Sequence, residues 1–258
     1  ARFDVDINDV HRLQVNYRES ESEALKGSND DDRSFYFGSN EYLKPELTES
    51  TGILLVSNWS DAFTTEIQLN NKSTDTGQTS PIGNSTANFN IENAFGMQDI
   101  YLGVDPYRSA NNLYTETDTL KIKGTYTLGN HEITAGYSEE TFDIYNVFIA
   151  FQEGSHTFAS YDDFLARNSS RYSASNSRVG TEEGGAAEFD YGFESIFVQD
   201  EITMSDQLTV TLGLRYDDVS GSAPPKNAGF KQAYGFENYG LDKGSSALSW
   251  RFGADYMF

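Results

Sequence analysis

Two-residue alternation over residues 207–219 is the feature that most constrains how this chain can fold. Every second residue there is apolar or aromatic: Leu208, Val210, Leu212, Leu214 and Tyr216. The residues between them are small or polar and include Arg215 and Asp217. Because successive side chains of a strand point to opposite faces, this stretch predicts a strand with one apolar and one polar face. Its length of about ten residues suits a tilted strand that crosses a bilayer.

The same alternation recurs in other parts of the chain, at residues 13–18, 65–70, 120–128, 133–138 and 248–258. We predict that one face of these strands contacts lipid. The candidate lipid-facing residues are Leu120, Ile122, Leu208, Val210, Leu212, Leu214, Trp250 and Phe252. We predict that the other face lines a wet lumen. The candidate lumen-facing polar residues are Lys121, Arg215, Asp217, Arg251 and Asp255.

Short and long connections alternate between these segments. The short ones are residues 8–10, 58–61, 129–130 and 204–206, and the long ones are roughly 19–45, 75–112, 152–185 and 220–243. This order is typical of an up-and-down antiparallel transmembrane β-barrel, with short turns at one end and long loops at the other. We predict an all-β partial barrel of about eight to nine strands. A soluble sandwich remains the alternative, because its half-buried strands also alternate.

One short helix is predicted inside the third long connection, at residues 162–167. Tyr161, Phe164 and Leu165 are the residues expected to pack it against the base of that loop.

Composition excludes several classes of protein. The mean hydropathy is −0.57, and the longest apolar runs, 52–56 and 147–151, are far shorter than the ~20 residues of a membrane helix. The chain has no cysteine, which rules out disulfides and thiolate metal sites. Its net charge of −22 would repel phosphates, so we expect no nucleic-acid partner. The three histidines are far apart and no catalytic arrangement is recognisable, so we expect no enzyme activity and no cofactor.

Several segments resemble TonB-dependent outer-membrane transporters, in particular the Oar-like receptors. They are IFVQDEI at 196–202 followed by LGLRYD at 212–217, LSWRFG at 248–253, YLG at 101–103 with RSANNL at 108–113, and IYNVF at 144–148. The resemblance covers most of the chain from His11 onward, and it rests on the order and spacing of these motifs together.

The resemblance implies a barrel of about 22 strands, an N-terminal plug domain and a TonB box. This chain shows neither plug nor box, so residues 1–258 are interpreted as an interior segment of such a barrel. The implied function is part of an active-transport receptor in the bacterial outer membrane, which takes up a scarce nutrient with TonB-coupled energy. The implied partners are outer-membrane lipid, TonB through the N-terminal part of the full protein, and a small-molecule or peptide ligand.

A second hypothesis is a complete small barrel of about eight strands that acts as an adhesin or a structural protein. The alternating aromatic residues from Trp250 to Phe258 resemble the C-terminal insertion signal of outer-membrane proteins. Any lipid-facing strand that is cut after a phenylalanine has the same pattern. We favour the interpretation that residues 250–258 are such a strand rather than a C-terminal insertion signal. The genomic sequence on both sides of this segment would distinguish the two hypotheses.

Overall fold

A computed structural model describes residues 1–27, 30–221, 228–236 and 245–258. Strands dominate it, with two short helices, α1 (Tyr161–Leu165) and α2 (Ala228–Tyr234). The strands are β1 Arg2–Asp6, β2 His11–Lys26, β3 Ser34–Tyr36, β4 Tyr42–Ser60, β5 Phe63–Gly77, β6 Asn88–Ala94, β7 Gln98–Gly103, β8 Asn111–Leu128, β9 His131–Phe148, β10 Ser155–Phe158, β11 Arg171–Ser173, β12 Ala186–Ser205, β13 Leu208–Gly221 and β14 Ser246–Tyr256. No helix among the described residues is both long and apolar enough to cross a membrane.

Nine strands form one large sheet in the order β1-β2-β4-β5-β8-β9-β12-β13-β14. Every neighbouring pair is antiparallel, and β1 and β14 are the two edges, so the sheet of the described residues is not closed. The prediction of an all-β, antiparallel, partial barrel is confirmed. We call this sheet the wall.

The two ends of the wall differ. Short turns join β1 to β2, β4 to β5, β8 to β9 and β12 to β13, whereas long connections join the other neighbours. Because the strands are antiparallel and consecutive, the four turns share one end and the four long connections share the other, as predicted. Most of the fourth long connection lies outside the described residues.

β2 and β4 run further toward the loop end than predicted. β2 continues to Lys26 and β4 begins at Tyr42, so both enter the predicted connection 19–45. The wall strands are also long: β8 and β9 have 18 residues each and β12 has 20. At roughly 3.3 Å per residue, an 18-residue strand is about 60 Å long, which is more than a tilted strand needs to cross a bilayer. The predicted ends of β2 and β4 were too short because the hydrogen-bonded ladder continues where both faces have become mostly polar.

A second sheet is built from the first three long connections, in the order β11-β10-β6-β7-β3. Two of its pairs, β3 with β7 and β6 with β10, are parallel. Ile91, Ala94 and Phe158 form its buried core, against which Phe89, Ile100, Leu102, Tyr161 and Phe164 pack. The sequence predicted loops with one short helix here, and the sheet was not predicted. We call the sheet together with α1 the loop unit.

Helix α1 lies where a helix was predicted. The Ser160 hydroxyl caps its N-terminus by accepting from the Asp163 N–H at 3.1 Å, and it donates to the Asp163 carboxylate at 2.7 Å. These bonds, with the amide of Asn168, lower the pKa of Asp163. Tyr161 and Phe164 pack on the core, but Leu165 is 62% exposed, so its predicted packing is wrong. Residues three apart share a helix face, whereas the next residue is turned about 100° away.

Candidate functional site

A row of apolar side chains crosses the whole wall. Directly paired residues of neighbouring strands lie on the same face. One continuous series of such pairs takes one residue from each of the nine strands: Val5, Leu13, Leu55, Ile67, Ile122, Tyr137, Ile196, Tyr216 and Leu248. We call this series the apolar row. Its continuity means that the apolar faces recognised strand by strand join into one surface.

All eight candidate lipid-facing residues lie on the face of the apolar row. Ile122 belongs to the row, and the others lie an even number of residues from a row member on the same strand. None of them is buried, and Trp250 and Phe252 are 82% and 76% exposed. The buried core clusters of the described residues lie elsewhere, in the loop unit and where β8 and β9 meet the loops. These side chains are thus a surface rather than an interior.

The five candidate lumen-facing residues lie on the opposite face. Lys121, Arg215 and Arg251 line one depression of about 380 Å³, and Asp217 and Asp255 are not among its lining residues. Arg215 donates to the Asp217 carboxylate at 2.7 Å, and Arg251 donates to the Gln199 amide oxygen at 3.0 Å. Of the five candidates, Arg215 and Asp217 thus hold each other, and Arg251 is held by a neutral amide.

One carboxylate breaks the alternation. Asp200 pairs directly with Leu212 and Ile133, which places it on the face of the apolar row. Its carboxylate lies 2.8 Å from Nδ1 of His131, at the start of β9 beside a short turn. This pair was not predicted, because the two residues belong to different strands and lie far apart in the sequence.

The face of the apolar row becomes acidic toward the loops. The hydroxyl of Tyr17 lies 2.8 Å from the carboxylates of both Glu19 and Glu49. The amide of Asn71 donates to Glu116 at 2.7 Å and to Asp118 at 2.9 Å. Charged groups at this density need to be hydrated, so the apolar part of the wall lies on the short-turn side of these residues.

The loop unit carries a cavity of about 590 Å³. Five directly paired residues, one from each strand of the second sheet, form its floor: Arg171, Thr157, Asn90, Tyr101 and Tyr36. The rings of Tyr36 and Tyr101 stack at 4.5 Å between centroids, with an angle of 11° between their planes. Burial, with the neighbouring Tyr36 and Asp99, raises the pKa of Tyr101. The opposite face of this sheet is the apolar one that packs on α1.

The other side of the cavity is formed by the segment that leads into β8. Arg108 lines it and is held by the Gln78 amide oxygen, which accepts from it at 3.3 Å, and by the ring of Tyr42, whose centroid is 4.9 Å from Cζ. Tyr107 and Phe151 pack edge to face beside it, with 5.1 Å between ring centroids. This cavity was not predicted from the sequence, where Arg108 stands only within the RSANNL motif at 108–113.

The family model described as outer membrane beta barrel domain matches residues 2–244. The chain belongs to this family. Outer membrane beta-barrel proteins of this kind are located in the bacterial outer membrane, as the sequence predicted for this chain. No curated protein sequence matches the chain.

Solved structures share the fold of this outer membrane beta-barrel chain at low sequence identity. The ferric-catecholate import receptor Fiu from E. coli K12, in its closed form, has a TM-score of 0.62 and 11% identity over 99% of this chain. The outer membrane transporter YddB from E. coli has a TM-score of 0.53 and 8% identity over 86% of it. The chain spans 40% of the Fiu chain and 28% of the YddB chain. At these identities the likeness shows a shared fold.

Proposed function

We propose that this chain forms part of the barrel of an outer-membrane transport receptor that takes up a scarce nutrient with TonB-coupled energy. The observation that carries the proposal is the apolar row, which runs unbroken over nine antiparallel strands below an ordered loop unit. A wall of this kind needs lipid on one side, and its polar side needs a wet lumen.

The eight apolar candidates, Leu120, Ile122, Leu208, Val210, Leu212, Leu214, Trp250 and Phe252, face the lipid in this proposal. Lys121, Arg215, Asp217, Arg251 and Asp255 face the lumen. Residues 1–258 are a segment of a longer barrel domain, and the fold of Fiu, of which the chain spans 40%, supports this. The plug, the TonB contact and the remaining strands belong to the other parts of the full protein.

The loop unit favours a receptor over an adhesin or a purely structural barrel. Three long connections fold together around a buried core and form a cavity with a largely polar lining. Ordering these loops costs conformational entropy, and a cavity of this size suits the capture of a small ligand.

The test compares growth of the source bacterium with the gene intact, with the gene deleted, and with residues 88–103 deleted from the protein. The short deletion removes β6 and β7 and leaves every wall strand in place. Under limitation of one nutrient at a time, both mutants should need more of the same nutrient, and a protonophore should abolish the advantage of the intact strain. Normal growth of both mutants under every limitation, with loss of surface adhesion, would favour the adhesin hypothesis instead.

A further inference from the structure

We propose that the cavity of the loop unit binds an acidic sugar, meaning a hydroxyl-rich ring that carries a carboxylate. The proposal takes from the proposed function only the extracellular position of the loop unit. Its argument rests on three properties of the cavity: unpaired polar atoms, an excess of positive charge and flat aromatic surfaces.

Three buried polar atoms at the cavity have no hydrogen-bond partner among the described residues: Nδ2 of Asn40, Oδ1 of Asn90 and Nε of Arg108. Asn40 is only 4% exposed, so its amide has little access to bulk water. Buried polar groups are normally paired, which makes three such atoms around one cavity informative. Two of them are donors and one is an acceptor. A sugar hydroxyl both donates and accepts, so one kind of ligand group matches all three once the side chains turn toward the cavity.

The charge of the cavity favours an anion. Its charged lining residues are the two guanidinium groups of Arg108 and Arg171 and the carboxylate of Asp105. Nε of Arg108 is 3.9 Å from the nearer Asp105 oxygen, which is too long for a hydrogen bond. Arg171 donates to the Thr157 hydroxyl at a long 3.4 Å. In a chain with a net charge of −22, the weakly engaged guanidinium of Arg171, on the same cavity as that of Arg108, is suited to a ligand carboxylate.

The aromatic lining favours a ring over an open chain. The stacked pair Tyr36–Tyr101 and the pair Tyr107–Phe151 both lie at the cavity. The flat face of an aromatic ring gives the apolar face of a sugar ring a surface to pack on, while the sugar hydroxyls point sideways to the amides. A volume of about 590 Å³ lies in the range of small-ligand pockets.

The experiment measures binding of D-glucuronate by isothermal titration calorimetry to the intact protein in detergent micelles. D-glucose is the matched neutral probe, because it differs from glucuronate by one carboxylate. Glucuronate should bind saturably, and glucose should bind at least about tenfold more weakly, as expected for a lost charge-assisted bond. Gluconate, the open-chain acid, should also bind more weakly than glucuronate.

The test variant is Arg171→Gln, whose exposed side chain can change without disturbing the core. It should weaken glucuronate binding by about tenfold or more and leave the weak binding of glucose unchanged. Asn40→Asp, a substitution of nearly equal size, should weaken it further by opposing the carboxylate. Arg167→Gln, at the end of α1 and outside the lining, is the control and should bind normally.

Several results would overturn the proposal: no saturable binding of glucuronate by the folded protein, equal binding of glucose, or tighter binding of benzoate or inorganic phosphate. An unchanged affinity in Arg171→Gln would overturn it as well. If these results came while both deletion mutants still needed more of one nutrient in the growth experiment above, the sugar proposal would fail while the receptor proposal stood.

Discussion

The substitution Ile67→Arg should destabilise the membrane-inserted protein far more than Gln68→Arg, although the two positions are adjacent. Ile67 belongs to the apolar row and pairs directly with Leu55 and Ile122. Arginine on a lipid-facing strand position near the middle of the bilayer costs roughly 2–4 kcal/mol. Gln68 lies on the polar face and pairs with Lys121. Because that face is in contact with water, the cost of Gln68→Arg is only the repulsion between the new arginine and Lys121, which is up to about 1 kcal/mol.

The difference between the two variants should therefore be about 1–4 kcal/mol, which is at least about fivefold in the folding equilibrium. A sheet in water would give another result. Ile67 is 39% exposed, and a substitution at an exposed strand position in water usually changes stability by no more than about 0.5 kcal/mol. The two faces would then respond almost equally.

The assay is reversible folding into lipid vesicles during a urea titration, followed by the fluorescence of the two tryptophans, Trp59 and Trp250. Trp250 is 82% exposed on the face of the apolar row, so it reports directly on contact with lipid. Equal shifts of the unfolding midpoint for Ile67→Arg and Gln68→Arg would refute the assignment of the two faces and, with it, the membrane wall.

Three further substitutions test particular contacts. Leu212→Arg should destabilise the protein less than an arginine in the apolar row, because Asp200 lies directly opposite on the same face. Adding Asp200→Asn should increase the destabilisation by about 1 kcal/mol in the same titration. Gly136→Ala should destabilise by about 1–3 kcal/mol, because a Cβ there would lie 2.6 Å from a backbone oxygen, whereas Gly124→Ala, with its nearest contact at 3.5 Å, should have little effect. Ser160→Ala should remove about 1 kcal/mol of N-capping and speed hydrogen exchange in α1. The loss of stability caused by Ser160→Ala should be smaller in acid. The pKa of Asp163 in the first turn is lowered, so the stabilising contribution of its carboxylate disappears as the pH falls below about 4 and through that pKa.

The wall could be predicted from the sequence because its determinants are local. A strand side chain alternates with its immediate neighbours, so Leu208 to Tyr216 specify two faces without reference to any other part of the chain. Connection length is equally local, and in an up-and-down meander it decides which ends lie together. The ends of β2 and β4 toward the loops were predicted too short, because backbone pairing continues after alternation has stopped.

Only the tertiary structure decided the loop unit, its cavity and the contact of Asp200 with His131 on the apolar face. Tyr36, Asn90 and Arg171 come from three different connections and meet because their short strands pair in one register. Asp200 and His131 likewise meet through strand pairing. Strands of three to seven residues are too short for their alternation to distinguish them from loop sequence. Their pairing is stabilised by a core that exists only once all three connections have come together, so neither the sheet nor the cavity on its polar face can be inferred from any one segment of the sequence.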